Sequence, residues 1–252
     1  MPIGEDRWHI YGGHRLWHSP EINPRTYAPD NSPVQAEMKA DTLHLTQDTE
    51  AMTGIQKELE ITLSDRENRV QVLHRMTNRG VWTINLSAWG LTVMNTEGLA
   101  IIPQPQGDRE ALLPNWGMTL WPYTDMTDPR VRWGRKFITL QQDPGISPRF
   151  KIGLRASSGW VGYLRKNQLF VKQFIHQPEA DYPDWGCSLE VFTNEAILEI
   201  ESLSPLTTLE PGQELEHVEQ WYLFDGVPSV ADDDASVEQN IWPLVNPLLS
   251  RG

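Results

Sequence analysis

Residues 82–94 read WTINLSAWGLTVM, a mostly apolar run with Gly90 inside it. The length would also suit a buried helix. Thr, Ile, Trp and Val, however, are side chains that fit a pleated surface, so the run reads as a buried strand with a bulge at Gly90. On its N-terminal side residues 41–47 (DTLHLTQ), 56–63 (QKELEITL) and 69–75 (RVQVLHR) alternate apolar and polar, with Leu59, Ile61 and Leu63 sharing one face. Residues 77–80 (TNRG) then break the period. On its C-terminal side come short runs at 136–140, 150–154, 160–164, 169–174, 188–193, 196–202 and 216–224. So many short strands separated by turn residues point to an all-β fold of two packed antiparallel sheets.

At 252 residues the chain suits one β-sandwich domain spanning 1–252. Two long loops interrupt the strands: 19–33, with four prolines, and 103–129, rich in proline and aromatics. Loops of that length in a compact domain tend to carry function. A short helix is expected only over 235–242, after the acidic triplet 232–234 and before Pro243.

The net charge of −13, with no Lys/Arg run longer than two, repels a polyphosphate, so no nucleic-acid partner is expected. Cys187 is alone, which excludes an internal disulfide and a multi-cysteine zinc site. No apolar run approaches the roughly 20 residues that span a bilayer, so no membrane partner is expected. The opening MPIGEDRWHIYGG lacks the basic-then-apolar pattern of a signal peptide. Neither compartment nor oligomeric state follows from these numbers. Tryptophan, at 11 copies, is the compositional outlier; its flat amphipathic ring suits a core or the C–H face of a sugar.

Two segments concentrate chemistry. Residues 11–21 (YGGHRLWHSPE) hold His14, Arg15, Trp17, His18 and Glu21. With His9 the histidines are spaced as in some metal sites, yet on a strand or loop His14 and His18 need not share a face, so no metal or other cofactor is expected. Residues 176–190 (HQPEADYPDWGCSLE) hold His176, Asp181, Tyr182, Asp184 and Glu190. Glu190 lies between Leu189 and Val191; strand period alone would send it to solvent, whereas burial would raise its pKa and suit it to general-base work. Glu199, Glu201 and Glu219 carry the same solvent-facing expectation. No G-x-S-x-G, P-loop or dinucleotide-binding motif is present, and Cys187 reads as inert packing.

Three segments resemble the galactose mutarotase (aldose 1-epimerase) superfamily. Residues 186–190 (GCSLE) followed by 209–224 (LEPGQELEHVEQWYLF) match that family's G-x-C-L-E strand and its later L-x-P-G-E-x-x-x-H element. Thr77-Asn78 and then 85–89 (NLSAW) match its T-N and N-L-T-N-H elements, and residues 12–15 are similar to its glycine–histidine sugar contact. The whole chain looks most like a bacterial branch of that superfamily. The resemblance implies an antiparallel two-sheet β-supersandwich, a small-molecule carbohydrate as partner, and Glu190 as the general base at the anomeric carbon. It also places Trp89 where the family has its general-acid histidine, and tryptophan cannot supply that proton.

Three activities follow. An aldose 1-epimerase-like isomerase would use Glu190 and recruit its acid from His14, His176 or Asp184. A non-catalytic carbohydrate-binding domain would use Trp17, Trp89, Trp116 and Trp121 as stacking surfaces, with Arg15 and Tyr182 as further sugar contacts. A glycoside hydrolase or lyase would use a carboxylate pair such as Asp184 and Glu190.

Overall fold

A computed structural model of the chain describes residues 12–28, 31–108, 110–231 and 233–249. The His9 position of the spaced histidines and Asp232 of the acidic triplet lie outside these residues. The first strands are β1 (Gly13–Ser19), β2 (Gln35–Lys39), β3 (Thr42–Thr46), β4 (Ile55–Leu63), β5 (Arg69–Asn78), β6 (Ile84–Met94), β7 (Leu99–Pro103), β8 (Met118–Leu120) and β9 (Val131–Trp133). Then come β10 (Phe137–Gln141), β11 (Phe150–Leu154), β12 (Trp160–Arg165), β13 (Gln168–Phe174), β14 (Leu189–Thr193), β15 (Leu198–Leu203), β16 (Thr207–Leu209) and β17 (Glu214–Phe224). All pairings between them are antiparallel. A seven-stranded sheet runs β1-β6-β15-β14-β11-β8, with β16 added to β6; a ten-stranded sheet runs β2-β3-β4-β5-β17-β13-β12-β7-β10-β9.

The two sheets face each other across a core set by period-two alternation. Ile152, Leu154, Leu189, Val191, Leu198 and Ile200 of the smaller sheet meet Ala100, Ile102, Ile138, Leu140, Val161 and Tyr163 of the larger. The opposite face of the larger sheet, with Ile101, Leu169, Val171 and Tyr222, is covered by Val237, Ile241, Val245 and Leu248. Those four come from α1 (Asp234–Asn240) and α2 (Trp242–Leu249) and the residue between them. Asp233 caps α1 by accepting from the Ser236 amide at 2.6 Å. Pro243 does not end the helical region as expected. It falls at the second position of α2, in a first turn whose amides need no helical acceptor.

At the β1 end the inter-sheet space is polar. His14 on β1 places Nε2 2.6 Å from Nε2 of His74 on β5, and its Nδ1 2.9 Å from Thr92 Oγ1 on β6. His74 Nδ1 donates to the His217 carbonyl at 2.8 Å. The Lys172 ammonium donates to Glu219 at 2.9 Å and to the carbonyls of Gly90 and Ile200 at 3.1 Å each, which uses all three of its protons. Glu219 further accepts from Ser202 at 2.5 Å and from Trp221 Nε1 at 2.6 Å. Glu219 is therefore not solvent-facing; it is itself wholly buried, as are Lys172 and His74, and is the hub of this network. Lys172 leads the groups that hold its carboxyl far below the ordinary range, against the desolvation that would raise it.

This hub also corrects the reading of Gly90. β6 is continuous from Ile84 to Met94, with Gly90 in register with Leu16 and Ser202, and has no bulge there. A Cβ at Gly90 would stand 2.6 Å from Glu219 Oε1, so the missing side chain leaves room for the carboxylate.

Candidate functional site

The outer face of the seven-stranded sheet carries the second polar group. Register aligns Arg15, Leu91, Glu201, Glu190, Gly153 and Thr119 in one row across the strands. The adjoining row holds Glu199, Phe192 and Lys151. Alternation expects these side chains in water, but Glu190, Glu199, Glu201 and Lys151 are all buried. The loop after β1, with Glu21 and Tyr27, and the segment after β8, with Trp121 and Tyr123, cover this face.

What remains open is a cleft of about 310 Å³, walled by Trp17, Trp89 and Tyr123 and lined below by Lys151, Glu199 and Glu201. Lys151 organises it. Its Nζ lies 2.7 Å from Glu190 Oε2 and 2.9 Å from Glu201 Oε2, and 4.9 Å and 4.6 Å from the ring centroids of Trp89 and Trp121. Trp89 Nε1 donates to the same Glu201 oxygen at 2.9 Å. Oε1 of Glu190 and of Glu201 has no hydrogen-bond partner among the described residues. Gly153, beside Glu190 in the row, has no room for a side chain: its Cβ would meet Cys187 Sγ at 2.5 Å and the Trp121 ring at 3.2 Å.

Burial dominates the electrostatics. Desolvation pushes Glu190 well above the ordinary carboxylate value, with Lys151 pulling the other way. Desolvation and then the Glu201 charge push Glu199 up to about 8, so it keeps its proton at neutral pH. For Lys151 burial works against the ammonium, but Glu201 and Glu190 outweigh it and raise its pKa. Burial sends the Cys187 thiol up to about 12, in keeping with inert packing.

Of the residues singled out from sequence, Trp17 and Trp89 meet edge-to-face at 5.6 Å in the cleft wall. Arg15 lies 5.3 Å over Trp17, and Trp121 covers Lys151. Glu190 is wholly enclosed and reaches the cleft only through its contact with Lys151. Asp184, in the turn Pro183–Gly186 with a left-handed φ of 50°, adds to the charge that raises Glu190. The others lie elsewhere. His14 projects to the inter-sheet face, one residue out of phase with the row that holds Glu190. His176 stacks on Tyr182 at 5.1 Å and meets Ser188 Oγ at 2.9 Å, and neither ring lines the cleft. Trp116 packs against the apolar core. Sequence reasoning passed over Lys151, Tyr123 and the inward role of Glu199 and Glu201; the available signal was a lone lysine inside the apolar strand FKIGL.

Among the described residues one group could hold a metal ion: His14, His74 and Glu219, with donor atoms within 4.8 Å of one another. A divalent ion there would face the Lys172 ammonium, which already donates to the same carboxylate.

Fold and site together define an antiparallel two-sheet β-sandwich with a covered, carboxylate-bearing cleft on its smaller sheet. The sequence model of the family described as Domain of unknown function (DUF4380) matches residues 22–224, and the chain belongs to that family. No curated protein matches the sequence. Galactose mutarotase-like proteins are among the solved structures it resembles. One, from Lactobacillus casei ATCC 334, has 12% identity and a TM-score of 0.48, covering 76% of this chain and 73% of the other. A galactose mutarotase related enzyme from Lactobacillus acidophilus has 10% identity and a TM-score of 0.44, covering 80% and 74%. A TPR-domain containing protein from Parabacteroides distasonis ATCC 8503 has 13% identity and a TM-score of 0.53; this chain, 85% covered, spans 38% of its length. No helix among the described residues is long and apolar enough to cross a membrane.

Proposed function

We propose that this protein binds a carbohydrate in the cleft over the seven-stranded sheet. The observation that carries the reading is the pairing of aromatic walls, Trp17, Trp89 and Tyr123, with the buried polar floor of Lys151, Glu199 and Glu201. Indole and phenol faces suit the C–H surface of a pyranose, while carboxylates and an ammonium suit its hydroxyls.

A second reading is aldose 1-epimerase-like turnover at the anomeric carbon, with Glu190 as general base. It is favoured by Glu199: its carboxyl, protonated up to about pH 8, can deliver the proton that Trp89 cannot. Glu190 would then work behind Lys151, which has to shift for the base to reach a hydroxyl.

Proton exchange spectroscopy on the anomeric signals of a sugar panel tests both. Accelerated α–β exchange for one sugar, lost in Glu190→Gln with binding retained, supports turnover. Line broadening without exchange supports binding alone. Silence on every sugar refutes the carbohydrate assignment.

A further inference from the structure

Trp185 stands 93% exposed, although tryptophan is on average a well-buried residue. Its backbone is also held in an unfavourable region. Asp184, Trp185 and Gly186 have φ of 50°, 64° and 102°, three left-handed residues in succession, and for a side chain as bulky as an indole that region is an outlier. Such a conformation persists only where its surroundings fix it. Here the Asp184 carbonyl accepts from Thr119 Oγ1 at 2.9 Å and from Cys187 Sγ at 3.0 Å, and the Cys187 amide donates to the Pro183 carbonyl at 2.9 Å. On the N-terminal side Tyr182 is buried and stacked on His176, and its hydroxyl accepts from the Gln177 amide at 2.8 Å. The turn is clamped at both ends while it presents its indole to water.

That turn is fastened to the face that holds the carbohydrate cleft. Thr119 ends the row that runs through Glu201, Glu190 and Gly153. It lies three strands from Glu201, roughly 14 Å at the usual strand spacing. Between them stands the half-buried Trp121, with Lys151 4.6 Å from its ring centroid and the place of a Gly153 Cβ 3.2 Å from its edge. Trp89, Trp121 and Trp185 therefore follow one another along one face, from the cleft outward.

We propose that Trp185 is an outlying sugar subsite and that the ligand of the cleft is an oligosaccharide, with one end in the cleft and a later ring stacked on the Trp185 indole. This inference rests on the carbohydrate reading of the cleft. A single sugar in the 310 Å³ of the cleft gains nothing from an indole three strands away, whereas a chain of pyranoses offers an apolar C–H face at every ring. An indole fixed in place beforehand spares the ligand the cost of ordering it.

The test pairs glucose with cellotetraose, mannose with mannotetraose and galactose with galactotetraose, each titrated into the full chain by calorimetry. One tetrasaccharide is expected to bind about three- to tenfold tighter than its monosaccharide, the scale of one aromatic stacking contact. Trp185→Ala is expected to bring that tetrasaccharide down to the affinity of its monosaccharide. In the wild-type chain the tetrasaccharide is also expected to shield more indole from acrylamide quenching than the monosaccharide does, a readout that stands should Trp185→Ala fail to fold. A tetrasaccharide that binds no tighter than its monosaccharide, that binds wild type and Trp185→Ala equally, or that shields no further indole overturns the subsite and leaves the carbohydrate reading in place. Absence of binding by any sugar of either length overturns both.

Discussion

Replacing Lys151 with methionine removes one charge and little volume from a position 5% exposed. It leaves Glu190 and Glu201, both buried, without the cation that stands 2.7 and 2.9 Å from them. Breaking a buried ion pair from one side costs about 3–5 kcal/mol. At roughly 2–4 °C per kcal/mol for a chain of this size, the unfolding midpoint should fall by about 6–20 °C at pH 8. The cost should also depend on pH, with a determined sign. Glu190 already has a folded-state pKa above its ordinary 4.5, and removing Lys151 raises it further. A group shifted upward in the folded state costs stability as pH climbs past its unfolded value, by up to about 1.4 kcal/mol per pH unit. Scanning calorimetry of wild type and Lys151→Met in steps from pH 5 upward should therefore show a gap that stays constant while Glu190 is protonated in both proteins and widens once the pH passes its folded-state pKa in the wild type, beyond which only the variant goes on losing stability. A gap that never widens, up to the pH at which Lys151 itself loses its proton, would mean that only packing was lost and that the carboxylates do not depend on Lys151.

Three further outcomes are expected. If Glu199 delivers a proton, turnover should hold up to about pH 8 and fall above it, and Glu199→Gln should flatten that limb along with the activity, as a pH–rate profile on the responding sugar would show. Trp89→His, which puts a titratable ring beside Glu201, should raise anomeric exchange if the acid alone limits it; no gain means that the aromatic wall has reshaped the cleft. Gly90→Ala should destabilise by about 1–3 kcal/mol, because its Cβ would press within 2.6 Å of Glu219; denaturant melts read this directly, and a neutral result would mean that the carboxylate moves freely.

Most strands were legible because alternation reports local geometry: residues 150–154 and 69–75 read from sequence coincide with or lie inside β11 and β5. Alternation could not report what covers a face. Glu190, Glu199 and Glu201 sit on the polar phase of their strands, and only the loops after β1 and β8, distant in sequence, turn that phase inward. Glu219 was hidden for a different reason: its partners Lys172 and Ser202 lie 47 and 17 residues away and come from both sheets. His14 was singled out for its neighbours in the chain, yet its structural neighbours are Thr92 and His74, 78 and 60 residues on.

Lys172 donates to the carbonyls of Gly90 and Ile200, strand residues whose chain neighbours Trp89 and Glu201 project to the cleft. Burial lowers its pKa, while Glu219 and, from across the sheet, Glu201 push it back up. The seven-stranded sheet is thus an electrostatic partition one strand thick, too thin to insulate its two sides. A ligand that alters the charge of Glu201 changes how firmly the interior ammonium holds its proton, and by reciprocity the interior proton tunes the ligand's affinity.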